Sequence, residues 1–216
     1  MNFQEELAKL PLSPSEIIIL MERSVNELTI KINDIECLVV YAQGYQHVIP
    51  RPTEADGLIS KEGWKDVLRD LRAMPWYSSR LHGWSHAGFL KGATKLVDHG
   101  LQGFLRKDVK TFFWGHSLGG SLSQNCAALL CDMGFTIGGV ITLGAPRTFT
   151  RGTAKRVKRL GYPIWEFSNA GDPIPDVPLR IWGYRHMNEI KTDRKRDGYS
   201  IKKNHSLTFY REAFGC

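Results

Sequence analysis

A serine between glycines is the residue in this chain with the clearest capacity for chemistry. Gly115-His116-Ser117-Leu118-Gly119 fits G-x-S-x-G, the pattern of a strand turning sharply into a helix with the serine exposed at the bend. A serine hydroxyl is a poor nucleophile until a base removes its proton. That base, usually histidine, in turn needs a carboxylate to fix its tautomer and to stabilise the imidazolium. In an elbow of this kind the partners follow in the order serine, acid, histidine. Only His186 and His205 lie far enough downstream of Ser117. His205 opens the last helical segment and is preferred; His186 falls inside an apparent strand. Asp172 is the preferred acid because it directly follows the apolar run Ile164 to Ser168, and working residues gather beyond the carboxyl ends of strands. Asp176 is the alternative. His116 belongs to the elbow and is expected to pack or to line the substrate cleft.

Acyl transfer also needs donors for the developing oxyanion. The backbone N–H of Leu118, next after the nucleophile, is one. The turn Gln43-Gly44-Tyr45, after the apolar strand ending at Tyr41, is the expected source of the other, through the Tyr45 N–H, with Gly44 against the substrate.

The elements that must hold these residues can be read from patterning. Val109 to Trp114 reads as the strand entering the elbow and Ser121 to Leu130 as the helix leaving it. Ser13-Pro14-Ser15-Glu16 is a capping box with proline at the first helical position, and the helix should reach about Ser24. Leu28 to Ile32 and Ile35 to Tyr41 read as a hairpin about Asn33-Asp34. Gly44 to Ser60 shows two prolines and little periodicity, and is read as a long loop. Trp64 to Met74 and His86 to Leu105 read as amphipathic helices. Strands follow at Gly139 to Leu143 and Ile164 to Ser168, with a basic helix near Thr153 to Arg159. Ile181 to Ile190 reads as a strand or hairpin, and a helix from about His205 to Phe214 ends the chain. Strands alternating with helices place the chain in the α/β class with a mostly parallel sheet.

Composition sets outer limits. The 216 residues suit a single domain over 1–216; hydrophobic residues make up 42% and charged residues 24%. The longest pure apolar run, Ile17 to Met21, is far short of a membrane span. Met1 to Lys9 carries two glutamates and no apolar leader, so an intracellular, cytoplasmic site is expected. Cys37, Cys126, Cys131 and Cys216 have no metal-ligand spacing and read mostly as free core thiols. The net charge is +7, with lysine and arginine concentrated in 147–159 and 191–203. Solvated faces explain most such runs; peripheral contact with an anionic lipid surface is the functional reading. No nucleic-acid motif accompanies the charge.

Taken in order, the motifs resemble the class 3 lipases, the fungal triacylglycerol lipase-like family of α/β-hydrolases. The residues that carry this are Gly115 to Gly120, Thr142-Leu143-Gly144-Ala145-Pro146-Arg147, Asn169 through Asp172-Pro173-Ile174-Pro175, Val177-Pro178, His205 and Tyr210. Ser85-His86-Ala87-Gly88-Phe89 is similar to the family's His-x-Gly-Phe helix start, and Trp64 to Asp70 to its Asp-Trp-x-x-Asp helix. The resemblance implies an α/β-hydrolase fold and ester hydrolysis by Ser117, Asp172 and His205, with His186 structural and no metal or organic cofactor. It also shows a departure: the family's Arg-Gly-Thr or Arg-Gly-Ser stands against Gln43-Gly44-Tyr45. Residues 46–63 would then be a lid or long loop, with Val48, Ile49, Leu58 and Ile59 facing the acyl chain. The expected function is hydrolysis of acylglycerol or other lipid esters through an acyl-enzyme. The same triad could serve a phospholipase, a thioesterase or an acyltransferase. A catalytically silent acyl-binding protein would follow if the altered turn disables the oxyanion site.

Overall fold

In the computed structural model, residues 3–27, 29–32, 35–52, 74–192 and 201–216 are described. Among them a seven-stranded sheet runs in the order β1-β2-β3-β6-β7-β9-β11. Its strands are β1 (Ile30–Ile32), β2 (Ile35–Ala42), β3 (Tyr45–Pro52), β6 (Thr111–His116), β7 (Ile137–Leu143), β9 (Ile164–Ser168) and β11 (Glu189–Lys191). From β3 to β11 every pairing is parallel; β1 and β2 join antiparallel at one edge. A smaller antiparallel sheet, β10-β8-β5-β4, is built from β4 (Pro75–Ser78), β5 (Gly83–His86), β8 (Phe149–Thr150) and β10 (Tyr184–Arg185).

Alternation along the central strands sends side chains to two cores. Phe113, Val48 and Val140 face one side. There they meet Leu90, Ala93 and Leu96 of α3 (Ala87–Leu96) and Leu122, Cys126 and Leu129 of α4 (Leu118–Asp132). Leu38, Ile49, Trp114, Ile141, Leu143 and Phe167 face the other. That side is closed by α1 (Phe3–Leu7), by Ile17, Ile18 and Met21 of α2 (Pro14–Asn26), and by Tyr210 of the terminal helix Leu207–Ala213. The helix α2 starts as expected: Glu16 N–H donates to Ser13 Oγ, and Ser13 N–H donates to Glu16 Oε2 at 2.8 Å. Helix α3 continues through a π-helical turn, Val97–Leu101, to Phe104. Cys37 and Cys126 are buried free thiols, and Cys216 is exposed.

The largest difference from the sequence reading is β3. Residues 46–52, expected in a loop or lid, form a strand inside the sheet; 53–63 and the expected helix over 64–73 lie outside the described residues. Val48 and Ile49 belong to the two cores, so they do not face an acyl chain; Leu58 and Ile59 fall among residues not described. The polar start of the strand hid it. Gln46 is buried because its amide donates to Arg106 O, Val109 O and Thr111 Oγ1 and its oxygen accepts from Arg106 N–H. His47 Nδ1 accepts from Trp114 Nε1–H at 3.1 Å. The prolines are tolerated because pairing with β6 ends at Val48, before Pro50 and Pro52. The expected strand at Ile181 to Ile190 is also divided: Arg180–Trp182 is a 3₁₀ turn, and β10 and β11 join different sheets.

Candidate active site

Ser117 sits where β6 turns into α4, with φ 54° and ψ −129°. A non-glycine residue there is strained, and the surroundings hold it. Ser117 N–H donates to Leu143 O at 2.9 Å, and Gly120 N–H donates to Ser117 O at 3.0 Å. The tight turn leaves no room for side chains: a Cβ on Gly115 would run into the Gly119 backbone, and one on Gly119 would lie 2.6 Å from Pro50 O. Ser117 and Leu118 keep partial exposure. Leu118 begins the helix, where backbone N–H groups have no intrahelical acceptor.

The expected acid and base come from the next layers. Asp172 lies in the loop just after β9, and His205 begins the turn between α6 (Ile201–Asn204) and α7 (Leu207–Ala213). His205 Nδ1–H donates to Asp172 Oδ2 at 2.8 Å, and both side chains are almost fully buried. The same oxygen accepts from Tyr210 O–H at 2.9 Å, while Oδ1 accepts from Ile174 N–H at 3.0 Å. Burial pushes the Tyr210 phenol well above its ordinary range, and the Asp172 charge adds to that. Asp176, the alternative acid, is engaged elsewhere: its carboxylate takes Arg147 Nη2 at 2.7 Å.

Two contacts bring the serine and the histidine together. His116, adjacent to Ser117, donates from Nε2 to His205 O at 2.7 Å, and the two imidazole rings lie 4.7 Å apart. Burial, reinforced by His205, lowers the His116 pKa to about 3, so the ring stays neutral at working pH. The second contact is Gly144, directly after Leu143, whose carbonyl holds Ser117 N–H. Gly144 has φ +61°, and a Cβ there would lie 2.8 Å from Asp172 Oδ2, 2.9 Å from Tyr210 Oη and 3.0 Å from His205 Cε1. The main chain of β7 therefore passes directly against the Asp172–His205 pair. His116 thus packs against His205, one of the two places expected for it, the other being the wall of the substrate cleft.

His186 occupies a separate buried site. Its Nε2–H donates to Pro175 O at 2.7 Å and its Nδ1–H to Glu166 Oε1 at 3.0 Å. Glu166 also accepts from Gln124 Nε2 and Asn188 N–H. Burial opposes charge on both partners, but their mutual attraction and these hydrogen bonds outweigh it: the His186 pKa is raised and that of Glu166 lowered. The pair links α4, whose N-cap is Ser117, to β9 and to the turn after Asp172. Sequence reasoning had no role for Glu166; a carboxylate in the middle of an apolar strand was the signal.

The expected oxyanion turn is at the wrong end of the sheet. Gln43 and Gly44, both with positive φ, form the two-residue turn of the β2–β3 hairpin. Gln46 pairs with Thr111, at the start of β6. Six residues separate that level from Ser117, about 20 Å at ~3.3 Å per residue. Tyr45 and Gly44 therefore cannot reach the serine. The backbone that does approach the elbow is the far end of β3, at Pro50 and Arg51. The signal for this was present in the sequence: Arg51-Pro52-Thr53 preserves the Arg-x-Thr spacing that Gln43-Gly44-Tyr45 lacks.

Comparison with known proteins bears on the family and the fold. The family described as Lipase (class 3) matches residues 60–182, more than half of the chain. A secreted mono- and diacylglycerol lipase of Fusarium solani is 30% identical over 94 residues, which are 44% of this chain and 27% of that protein. The match thus spans about a quarter of the length of that relative. The triacylglyceride lipase of Rhizomucor miehei superposes with a TM-score of 0.71 at 18% identity, over 90% of this chain and 82% of the other. A lipase from Rhizopus microsporus var. chinensis superposes with a TM-score of 0.64 at 23% identity, over 75% and 58%. These likenesses show the α/β-hydrolase fold. The relative named as secreted also overturns the cytoplasmic placement expected from Met1 to Lys9. With the family profile spanning residues 60–182, from before the elbow to beyond Asp172, the chain belongs to the class 3 lipase family.

Proposed function

We propose that residues 1–216 work as one α/β-hydrolase domain that hydrolyses carboxylic esters of lipids. The observation that supports this most directly is the buried Asp172–His205 pair, at 2.8 Å, set against the strained Ser117 elbow. Ser117 Oγ attacks the acyl carbon while His205 Nε2 takes its proton. Asp172 holds Nδ1–H and stabilises the imidazolium, and Tyr210 and the Ile174 N–H fix the carboxylate in turn. His205 then protonates the leaving alkoxide. Water enters, gives its proton to His205, and releases the acid from the acyl-enzyme.

Leu118 N–H is one oxyanion donor. By sequence pattern alone, Thr53 of Arg51-Pro52-Thr53 is the candidate for the second; it lies outside the described residues. Loss of one such donor typically costs about 3–4 kcal/mol of transition-state stabilisation. A silent acyl-binding protein would need a disabled oxyanion site, and the Gln43–Tyr45 turn that would disable it is remote from Ser117. No step here calls for a metal or an organic cofactor.

The name of the Fusarium relative points to mono- and diacylglycerols as the substrate class and to an extracellular site of action. A basic surface helix, described below, favours phospholipid esters as the second reading. Chromogenic esters of graded acyl length, run on the parent and on Ser117→Ala, test the proposal. Turnover and fluorophosphonate labelling that both vanish with Ser117→Ala are expected. Turnover equal in the two proteins would overturn it.

A further inference from the structure

Helix α5 (Arg151–Lys158) turns Thr153, Ala154 and Val157 inward and leaves Arg151, Lys155, Arg156 and Lys158 exposed, with Arg159 next. No acidic residue occurs between Arg147 and Trp165. Among the described residues none of these five cations joins an ion pair. Such a face repels itself and raises the local affinity for anions.

What flanks the helix is apolar. On one side Thr153 Oγ1 accepts from Trp84 N–H at 2.7 Å. This seats α5 against β5, where Trp84 stands exposed with Tyr77 of β4 paired opposite it, edge to face at 5.5 Å. On the other side Arg151 N–H donates to Gly183 O at 2.9 Å. That seats the helix beside the 3₁₀ turn on which Leu179, Ile181 and Trp182 are exposed, Ile181 to 83%. Arg180 is also exposed there, although it pairs with Glu189 at 3.8 Å. The turn is reached from Asp172 through Pro173–Pro178, so the surface lies on the same connection as the catalytic acid.

From this combination we infer that α5, with its two apolar flanks, is a docking surface for an anionic phospholipid bilayer. Cations spaced along one exposed helix face meet headgroup phosphates, and tryptophans and tyrosine suit the headgroup level. Leu179 and Ile181 supply aliphatic groups that enter the acyl boundary and have no use on a nucleic acid backbone. The inference concerns binding and does not require turnover.

The test uses Ser117→Ala protein and sedimentation with vesicles of pure phosphatidylcholine or of phosphatidylcholine with phosphatidylglycerol. Binding to the anionic vesicles alone is expected, weakened by salt and accompanied by a blue shift of tryptophan fluorescence. Each cation near an anionic surface is worth roughly fivefold in partitioning. The triple change Lys155→Gln, Arg156→Gln and Lys158→Gln should therefore lower binding by about 10²-fold, with turnover of a short soluble ester unchanged in the Ser117 background. Ile181→Ser should remove most of the blue shift while the salt dependence stays. Unchanged binding by the triple variant, equal binding to both vesicles, or tighter binding to duplex DNA would overturn the inference. Vesicle binding without ester turnover would leave docking intact and sink ester hydrolysis; turnover without anionic-vesicle binding would do the reverse.

Discussion

Replacing Gly144 by alanine tests whether the main chain of β7 holds the acid and the base in register. Two costs can be separated. The first is backbone: φ +61° in a non-glycine residue costs roughly 1–2 kcal/mol. The second is steric, because the new Cβ would lie 2.8–3.0 Å from Asp172 Oδ2, Tyr210 Oη and His205 Cε1. Ordinary contacts need about 3.5 Å, so the pair must shift by about 0.5–1 Å. A misplacement of that size costs on the order of 10²-fold in rate, or about 2.7 kcal/mol. Gly134 is the internal control: its φ is +82°, and a Cβ there meets nothing within 4 Å. Gly134→Ala should lose roughly 1–2 kcal/mol of stability and keep kcat/KM on a soluble ester within twofold. Gly144→Ala should lose at least as much stability and about 10²-fold in kcat/KM. Thermal melts and steady-state kinetics on both variants decide it. If the two have the same kcat/KM, Gly144 is needed only for its dihedral angle and the positional argument fails.

Three further outcomes follow from the geometry. Tyr210→Phe removes one hydrogen bond from Asp172 Oδ2; bonds to charged groups contribute about 1.5–3 kcal/mol, so kcat should fall roughly tenfold or more while KM holds. His205→Ala should abolish kcat by several orders of magnitude, whereas His186→Asn should mainly lower the melting temperature; the opposite pattern would exchange their roles. The Glu166–His186 pair should shape the pH dependence of stability. The His186 pKa is raised above 6.5, so its contribution is complete below that pH and is lost as pH rises through the raised value. The Glu166 pKa is lowered below 4.5, so its contribution is present above 4.5 and is lost as pH falls through the lowered value. Glu166→Gln leaves one partner buried alone, which costs about 3–5 kcal/mol. His186→Asn should flatten the alkaline limb of melting temperature against pH, and parallel curves for variant and parent would refute the pair's charge.

Local chemistry made much of this protein legible before any fold was in hand. G-x-S-x-G between an apolar strand and a helix is a signal carried by adjacent residues, as is the capping box at Ser13. The candidate order Ser117, Asp172, His205 could be proposed because each partner lies beside a recognisable element. Asp172 comes in the loop after β9, and His205 just before the last helix. The backbone conformation at Ser117, set by its immediate neighbours, could be anticipated for the same reason.

What only the tertiary structure decided depends on neighbours distant in sequence. Whether Gln46 and His47 start a strand or a loop turns on Arg106, Val109, Thr111 and Trp114, which satisfy their polar atoms from some sixty residues away. No pattern within Tyr45–Pro52 states that. Once β3 is a strand, its direction places Gln43-Gly44-Tyr45 at one end of the sheet and Pro50-Arg51 beside the elbow, a distinction that composition cannot carry. Glu166 reads as a flaw in an apolar strand until His186, Gln124 and Asn188 are seen around it. The sequence by itself determined the elbow, the candidate nucleophile within it and the class of fold, because those are written in contiguous residues. Which backbone faces the serine, and which histidine faces Asp172 at 2.8 Å, were settled by strand register and packing, which no single segment contains.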